Sequence, residues 1–147
     1  MDNLNQDPRV NEIINSFSAF SDWENRYKHL ISMGKELAPF PEEHRKEENK
    51  VKGCQSQVWL HSELKEGKVY FWGDSDASIV KGIVALLLNI YSERTPGEIL
   101  GLQQDFVESI GLKQHLSMSR ANGLSAMMKQ IQFYALAYKT KIDLGIK

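Results

Sequence analysis

The 147-residue sequence has one strong candidate nucleophile, its single cysteine Cys54, in the stretch VKGCQSQVWL that begins at Val51. A thiolate can attack a polarised sulfur or a carbonyl carbon, although a free cysteine is more often a small buried hydrophobe. Gly53 permits backbone angles that project the next side chain outward, and the polar residues after Cys54 suit an accessible loop. We therefore predict that Cys54 lies at a loop tip, where Lys50 and Lys52 could favour its thiolate.

Four histidines raise the question of a metal site or a hydrolase: His29, His44, His61 and His115. None lies at a zinc-finger or HExxH spacing from another ligand, and one thiolate does not hold an iron–sulfur cluster. We therefore expect no metal site. A cysteine hydrolase would use His61 or His115 as its base. Asp74 or Asp76 would then orient that base, and the sequence leaves this alternative open because it does not show which side chains meet.

Composition and charge argue against several classes of protein, namely nucleic-acid-binding, membrane-spanning and secreted ones. The 18 Lys and Arg residues balance 19 Asp and Glu residues, for a net charge of -1 without long blocks of either sign, so we expect no nucleic-acid partner. The longest apolar run, residues 83–88, is far shorter than the about 20 residues of a membrane-spanning helix. A lone cysteine forms no internal disulfide and no signal-peptide pattern opens the sequence, which favours a cytoplasmic location. The length suits one domain, residues 1–147.

The elements that would position Cys54 are a β-hairpin and a buried helix. Residues 58–64 alternate between apolar and polar, as in a strand with one buried face. A turn with Gly67 at positive φ should connect them to a second strand over residues 69–72. We expect residues 73–76 (GDSD) to break that strand and to offer N-caps to a helix over residues 77–91. Apolar residues cover most of this helix, so it should be the most buried one.

Two helices and a connector are predicted before the hairpin. Apolar residues at helical spacing indicate a first helix over residues 10–17. Ser21 and Glu24 form a capping-box pattern for a second helix, which must end before the prolines at positions 39 and 41. The run of mixed charge over residues 42–48 should then be a solvated connector.

Short helices are predicted after the buried helix. Thr95 and Glu98 form a second capping-box pattern with Pro at the first helical position. Another short helix should cover residues 105–110 and end at Gly111 in the left-handed conformation. Residues 112–116 should be a connector.

A long last helix should begin after Ser117 or Ser119. Arg120 falls in its first turn, an unfavourable end for a cation, so it could serve a partner or a tertiary contact. An ordinary solvated arginine is an equally good interpretation. The fold class is α+β, with a small antiparallel sheet packed against several helices.

Segments in order along nearly the whole chain resemble the SufE and CsdE sulfur-acceptor proteins. They are Trp23, Glu24 and Tyr27, then residues 34–37 (GKEL), 53–59 (GCQSQVW), 73–76 (GDSD), 79–82 (IVKG), 114–116 (QHL) and 119–124 (SRANGL). The GCQSQVW stretch is more similar to the SufE branch than to the CsdE branch. The resemblance implies a fold like that of the IscU-type scaffold proteins.

The resemblance also implies a role as partner of a cysteine desulfurase of the SufS or CsdA type. Cys54 matches the family cysteine that accepts sulfane sulfur as a persulfide. A protein of this family would also stimulate the desulfurase and pass the sulfur on, for example to a cluster scaffold complex. Pyridoxal phosphate would belong to the desulfurase, so we expect no cofactor on this chain. A homodimer is possible, and a cysteine hydrolase or a non-catalytic interaction module is the alternative. The residues expected to support Cys54 or to bind the partner are Gly53, Gln55, Asp74, Asp76, His115 and Arg120.

Overall fold

A two-stranded antiparallel sheet packs against helices in the computed structural model, which describes residues 7–145. The predicted α+β class is confirmed. None of the helices in this range is both long enough and apolar enough to cross a membrane. The elements are α1 Pro8–Ser18, α2 Trp23–Lys35, β1 Val58–Lys65, β2 Lys68–Ser75, α3 Ser78–Tyr91, α4 Pro96–Gly101, α5 Phe106–Ile110, α6 Leu112–His115 and α7 Met118–Asp143.

Helix α3 is the centre of the core and the most buried of these helices, as predicted. Its buried residues occupy nearly every position from Val80 to Tyr91, leaving Lys81 half-buried and Asn89 exposed. Ala85 belongs to the core as well. Burial of this many apolar side chains makes α3 the surface on which the other elements pack.

Helices α2 and α3 approach each other closely through two glycines. A Cβ atom on Gly82 would lie 2.2 Å from the carbonyl oxygen of Leu30, and one on Gly34 would lie 2.9 Å from the backbone nitrogen of Gly82. Neither distance is possible for real atoms. The absence of side chains at both positions therefore permits this helix contact.

The predicted hairpin is confirmed, with β1 and β2 paired along their full lengths. Glu66 and Gly67 form the turn and have φ values of 51° and 83°. Positive φ at both turn residues is typical of the tight two-residue loops whose twist matches that of the strands.

The predicted break at residues 73–76 is wrong, because β2 continues to Ser75. Gly73 pairs with Leu60, and a Cβ atom on it would lie 2.6 Å from Cγ1 of Val84. The glycine thus permits close packing of the sheet on α3 and does not end the strand. Helix α3 begins after Ala77, and no side chain caps it.

The predicted alternation of burial also fails at the start of β1, where the first three residues are all buried. Trp59 is covered because the guanidinium of Arg45 lies 4.7 Å from its ring centroid. The segment that carries Arg45 contains two short 3-10 turns, Glu42–His44 and Glu47–Asn49. The charged segment, residues 42–48, therefore packs on β1 and shields Trp59 from solvent, in addition to connecting α2 to the hairpin.

One of the two predicted capping boxes is confirmed. The hydroxyl of Thr95 accepts from the Glu98 nitrogen at 3.1 Å, and the Thr95 nitrogen donates to the Glu98 carboxylate at 2.8 Å. The box predicted at Ser21 is wrong, since α2 begins after Asp22 without a side-chain cap. The Asp22 carboxylate instead accepts from the side-chain amide of Asn25 at 2.8 Å.

The end of α5 and the start of α7 follow the sequence signals. Gly111 ends α5 with φ of 84°, and the Ser117 hydroxyl caps α7 by accepting from the backbone nitrogen of Arg120 at 3.3 Å. The connector predicted between them is wrong, because it contains α6. Leu112, the first residue of α6, is fully buried, so core packing favours a helical turn there.

Segments outside the hairpin make isolated bridges to both of its strands. Lys50 forms a bridge with Trp59 of β1, and Arg94 forms one with Val69 of β2. Arg94 is buried, and its guanidinium donates to both carboxylate oxygens of Asp7 at 2.6 and 2.8 Å. Asp7 also caps α1, so one ion pair fixes the start of the described chain to the core.

Candidate functional site

Cys54 lies in the loop between the charged segment and β1, as predicted. The backbone nitrogen of Val51 donates to the carbonyl oxygen of Val58 at 2.8 Å and closes the base of this loop. Gly53 has a φ of 94°, in the region that favours glycine. The residues 52–57, called the Cys54 loop below, therefore project from a fixed base.

The two predicted aspartates differ in their contacts. Asp76 accepts from the backbone nitrogen of Gln57 at 3.0 Å and so holds the end of the Cys54 loop. Asp74 forms ion pairs with Arg45 at 2.9 Å and Lys81 at 3.3 Å. Burial raises the pKa of Asp74, but hydrogen bonds, chiefly from Arg45, outweigh it and lower the pKa overall. Asp74 thus joins the charged segment to α3.

The Cys54 side chain is directed inward, toward α7, so the outward projection predicted from Gly53 is wrong. Its Sγ atom lies 3.8 Å from the carbonyl oxygen of Gly123, within reach of a weak thiol hydrogen bond. A Cβ atom on Gly123 would lie 3.4 Å from this sulfur, so the glycine makes room for it. The half-buried thiol borders a cavity of about 160 Å³. The other residues lining this cavity are Gln55, Ser56, Val80, Ser119, Arg120, Gly123 and Met127.

The electrostatics of the thiol differ from the sequence prediction. Burial raises the pKa of Cys54, so the neutral thiol predominates at neutral pH in this position. Lys50 forms an ion pair with Glu47 at 3.2 Å and lies 5.8 Å from the ring centroid of Trp59. The predicted support of the thiolate by Lys50 is therefore wrong for the inward position, in which desolvation governs the pKa.

The structure brings two further predicted residues to the cavity and leaves one outside it. Arg120 and Gln55 both line the cavity, and neither side chain forms a hydrogen bond or an ion pair with any residue in the range 7–145. His115 is not a lining residue. Its ring stacks on Trp23 at a centroid distance of 4.2 Å, and its Nδ1 atom lies 3.0 Å from the carbonyl oxygen of Gly111.

Sequence reasoning missed the wall of the cavity. Gly123, Val80 and Met127 form this wall with buried atoms. A signal was present for Gly123, because a glycine inside a long helical pattern costs about 1 kcal/mol relative to alanine and is often explained by close packing. Nothing in the local sequence identifies Cys54 as its contact.

The geometry does not support a cysteine hydrolase. A base must lie within hydrogen-bond reach of its nucleophile, and the described cavity contains no histidine or carboxylate. His61 instead pairs with Glu63 at 2.9 Å. Its ring also stacks on His44, so two of the four scattered histidines meet outside this cavity.

The fold and the site are those of a small α+β protein. Its single thiol lies on a loop that a backbone hydrogen bond closes at the base, and the thiol borders a cavity. The SufE family of Fe-S metabolism associated domains matches residues 11–135. An uncharacterised SufE-like protein of Synechocystis sp. is 42% identical over 139 residues, which cover 95% of this chain and 87% of that protein. The chain belongs to the SufE family, and that membership gives it a role in iron–sulfur metabolism and sulfur transfer.

A solved structure supports the fold independently. The solution structure of a hypothetical protein from Thermus thermophilus has a TM-score of 0.76 to this chain at 23% sequence identity. The match covers 90% of this chain and 97% of the Thermus protein. At this identity the likeness describes the arrangement of the elements only.

Proposed function

We propose that the protein accepts sulfane sulfur from a cysteine desulfurase of the SufS or CsdA type as a persulfide on Cys54. It would stimulate that desulfurase and pass the sulfur to an acceptor such as an iron–sulfur cluster scaffold complex. The observation that carries the proposal is the placement of the chain's only thiol beside a cavity in a protein of the SufE family. The desulfurase would hold pyridoxal phosphate, and a reducing compartment such as the cytoplasm would keep Cys54 free.

The proposed step is a thiol exchange without net oxidation. The Cys54 thiolate attacks the terminal sulfur of the desulfurase persulfide and forms a new S–S bond. The bond between that sulfur and the desulfurase cysteine breaks, and its electron pair leaves on the desulfurase thiolate. The proton lost from Cys54 restores the desulfurase thiol or passes to water. Because burial raises the Cys54 pKa, the attack should be faster when the thiol leaves its inward position.

The cavity suits the protection of a persulfide between transfers. Its volume of about 160 Å³ exceeds the roughly 30 Å³ that one water occupies in the liquid, so an added sulfur atom has room. Val80 and Met127 supply an apolar wall. We infer that the Cys54 loop has an inward position, which shields the sulfur, and an outward position, which the desulfurase selects through better contacts.

The proposed docking surface combines the Cys54 loop, residues 73–76 and the start of α7 at Arg120. Arg120 offers an unpaired cation at the cavity, and Gln55 offers an unpaired amide, among residues 7–145. The carboxylates of Asp74 and Asp76 are already engaged by neighbouring residues. We therefore expect the two aspartates to support the surface and Arg120 to contact the partner.

Mass spectrometry after incubation with a desulfurase and free cysteine tests the proposal. We expect a gain of one or more reducible sulfur atoms on Cys54 and a higher rate of sulfide or alanine production. Cys54→Ser should remain folded because serine is nearly isosteric, yet it should gain no sulfur and give no stimulation. Full stimulation by folded Cys54→Ser, or an unchanged mass with an active desulfurase, would contradict the proposal and favour an interaction module.

Alkylation of Cys54 tests the two positions of the loop. The thiol should react slowly in the isolated protein and faster with a desulfurase whose own reactive cysteine has been removed. A small alkylating reagent limits simple occlusion by the docked desulfurase. Reaction of the free protein at the rate of an unhindered small thiol would mean that the Cys54 loop is always open.

A further inference from the structure

A second group of side chains with metal-binding chemistry lies outside the Cys54 cavity. His44, His61 and Glu63 each offer one donor atom, and these atoms all lie within 4.8 Å of one another. The two imidazole rings stack at a centroid distance of 3.6 Å. Nε2 of His61 lies 2.9 Å from Oε2 of Glu63. Neither sulfur transfer nor the packing of the core uses this group.

Separate parts of the fold place the three side chains. His61 and Glu63 are two residues apart on β1, so their side chains project from the same face of the strand. His44 ends the 3-10 turn Glu42–His44. Its carbonyl oxygen accepts from the side-chain amide of Asn49 at 2.7 Å, which joins the His44 backbone to the next 3-10 turn, Glu47–Asn49. The fold therefore brings together residues that are separated by sixteen others in the sequence, those between His44 and His61.

We propose that His44, His61 and Glu63 form a binding site for one divalent transition-metal ion of the zinc class. Two imidazoles and one carboxylate are donors that suit zinc, copper and nickel better than magnesium or calcium. Three protein ligands also leave one coordination position for water or a further ligand. The site would join the segment before the Cys54 loop to the strand after it.

Binding requires only side-chain movement. Metal–ligand bonds of about 2.0–2.2 Å in a tetrahedral site place donor atoms roughly 3.4 Å apart. The wider separations, of up to 4.8 Å, must therefore close, whereas the pair of His61 Nε2 and Glu63 Oε2, now 2.9 Å apart, must open slightly. Because lone pairs of imidazole lie in the ring plane, the stacked His44 ring must rotate about its side-chain bonds to direct a nitrogen at the ion.

The surroundings of Glu63 allow an ion to enter. The His61 side chain is 14% exposed, whereas that of Glu63 is 40% exposed, so the carboxylate faces solvent. Nζ of Lys65 lies 3.6 Å from Oε1 of Glu63, whereas His61 contacts the other carboxylate oxygen, Oε2. An ion bound at Nε2 would replace the contact of that nitrogen with Oε2 of Glu63, and the neutral His61 ring would then carry its one proton on Nδ1.

Binding of Zn²⁺ and Co²⁺ to metal-stripped, full-length Cys54→Ser protein tests the proposal, since this background removes the thiol as a ligand. We expect one Zn²⁺ per chain by calorimetry. Co²⁺ should give visible absorption bands of a low-coordinate site and should quench Trp72, whose ring centroid lies 5.5 Å from that of His61. Excess Zn²⁺ should displace Co²⁺ and restore the fluorescence.

Matched variants locate the ion. His44→Phe and His61→Phe keep a flat ring but remove a donor, so each should weaken Zn²⁺ binding by at least about 100-fold, beyond the effect usual for residues that only support ligands. Glu63→Gln should weaken it too. His115→Phe, which also keeps a ring, should bind as the parent does. The assignment would be overturned if the Cys54→Ser protein bound no detectable Zn²⁺, or if His44→Phe and His61→Phe each still bound it normally. An equal loss of binding in His115→Phe would also overturn it.

Discussion

Replacement of Gly123 by a larger residue tests the inward position of Cys54, because the new side chain would fill the space beside Gly123 that the sulfur occupies. An alanine Cβ would lie 3.4 Å from Sγ of Cys54 and 4.0 Å from Cε of Met127, both ordinary contact distances. Gly123→Ala should therefore keep the thiol inward and gain up to about 1 kcal/mol from better helix propensity. Gly123→Val adds methyl groups beyond that Cβ, into space that the sulfur occupies.

The valine must be accommodated by movement of the Cys54 loop or by strain. Overpacking costs about 1–3 kcal/mol while the sulfur stays inward. The gain in helix propensity over glycine, roughly 0.3–0.5 kcal/mol, is the same in both loop positions and does not change the bias between them. A bias of about 1–3 kcal/mol between two positions corresponds to a change of about 5- to 150-fold in their ratio. Alkylation of Cys54 should accelerate within this range, up to the rate of an unhindered thiol, and a loaded persulfide should be reduced faster.

The measurement is the alkylation rate of the wild type and both variants, followed by mass spectrometry, with chemical unfolding as a control for stability. Gly123→Ala is the matched control because it changes the helix propensity without filling the space that the Cys54 sulfur occupies. A folded Gly123→Val protein that is alkylated at the wild-type rate would refute the reasoning, because the sulfur would then not occupy the space beside Gly123.

Three further changes test other contacts. Arg120→Ala should slow sulfur transfer while unfolding energy stays within about 0.5 kcal/mol, since its side chain has no polar partner in the range 7–145; loss of stability without a separate effect on transfer would make it structural. Asp7→Asn should cost roughly 1.5–3 kcal/mol, because buried Arg94 loses its charged partner and keeps only neutral acceptors such as the Ile90 carbonyl oxygen. Gly82→Ala should destabilise by at least about 1–3 kcal/mol because its Cβ would overlap the Leu30 carbonyl. Thermal melts that match the wild type would contradict either of the last two.

The Asp7 contact also predicts a dependence on pH. The hydrogen bond from Arg94 lowers the pKa of Asp7 below the ordinary carboxyl value of 3.8. A lowered pKa in the folded state means that the stabilisation is complete above the unfolded pKa and is lost as pH falls through the folded one. Acid unfolding curves of wild type and Asp7→Asn should therefore converge as the pH decreases below about 4. A constant difference across that interval would contradict this assignment.

Local signals were sufficient for much of the fold. The hairpin turn at Gly67, the box of Thr95 with Glu98 and the left-handed Gly111 each depend on residues within one or two turns of chain, so the sequence predicts them correctly. Gly73 shows the limit of such signals. A glycine can end a strand or permit close packing, and only the position of α3 decides between them.

The candidate site could be predicted only where its residues are adjacent. The Cys54 loop follows from its own composition, but the contact of Cys54 with Gly123 spans 69 residues. The pairing of Asp74 with Arg45 and the stacking of His44 on His61 are also long-range. Such contacts arise from the packing of whole elements, which local periodicity does not specify.

A two-stranded sheet has no interior strand, and this exposes it to unwanted association. Each strand presents an outer row of backbone donors and acceptors to which another extended chain could add. In this protein the bridge of Lys50 with Trp59 occupies part of one outer row, and the bridge of Val69 with Arg94 occupies part of the other. The neighbouring segments therefore leave less of each edge of the hairpin open to strand addition.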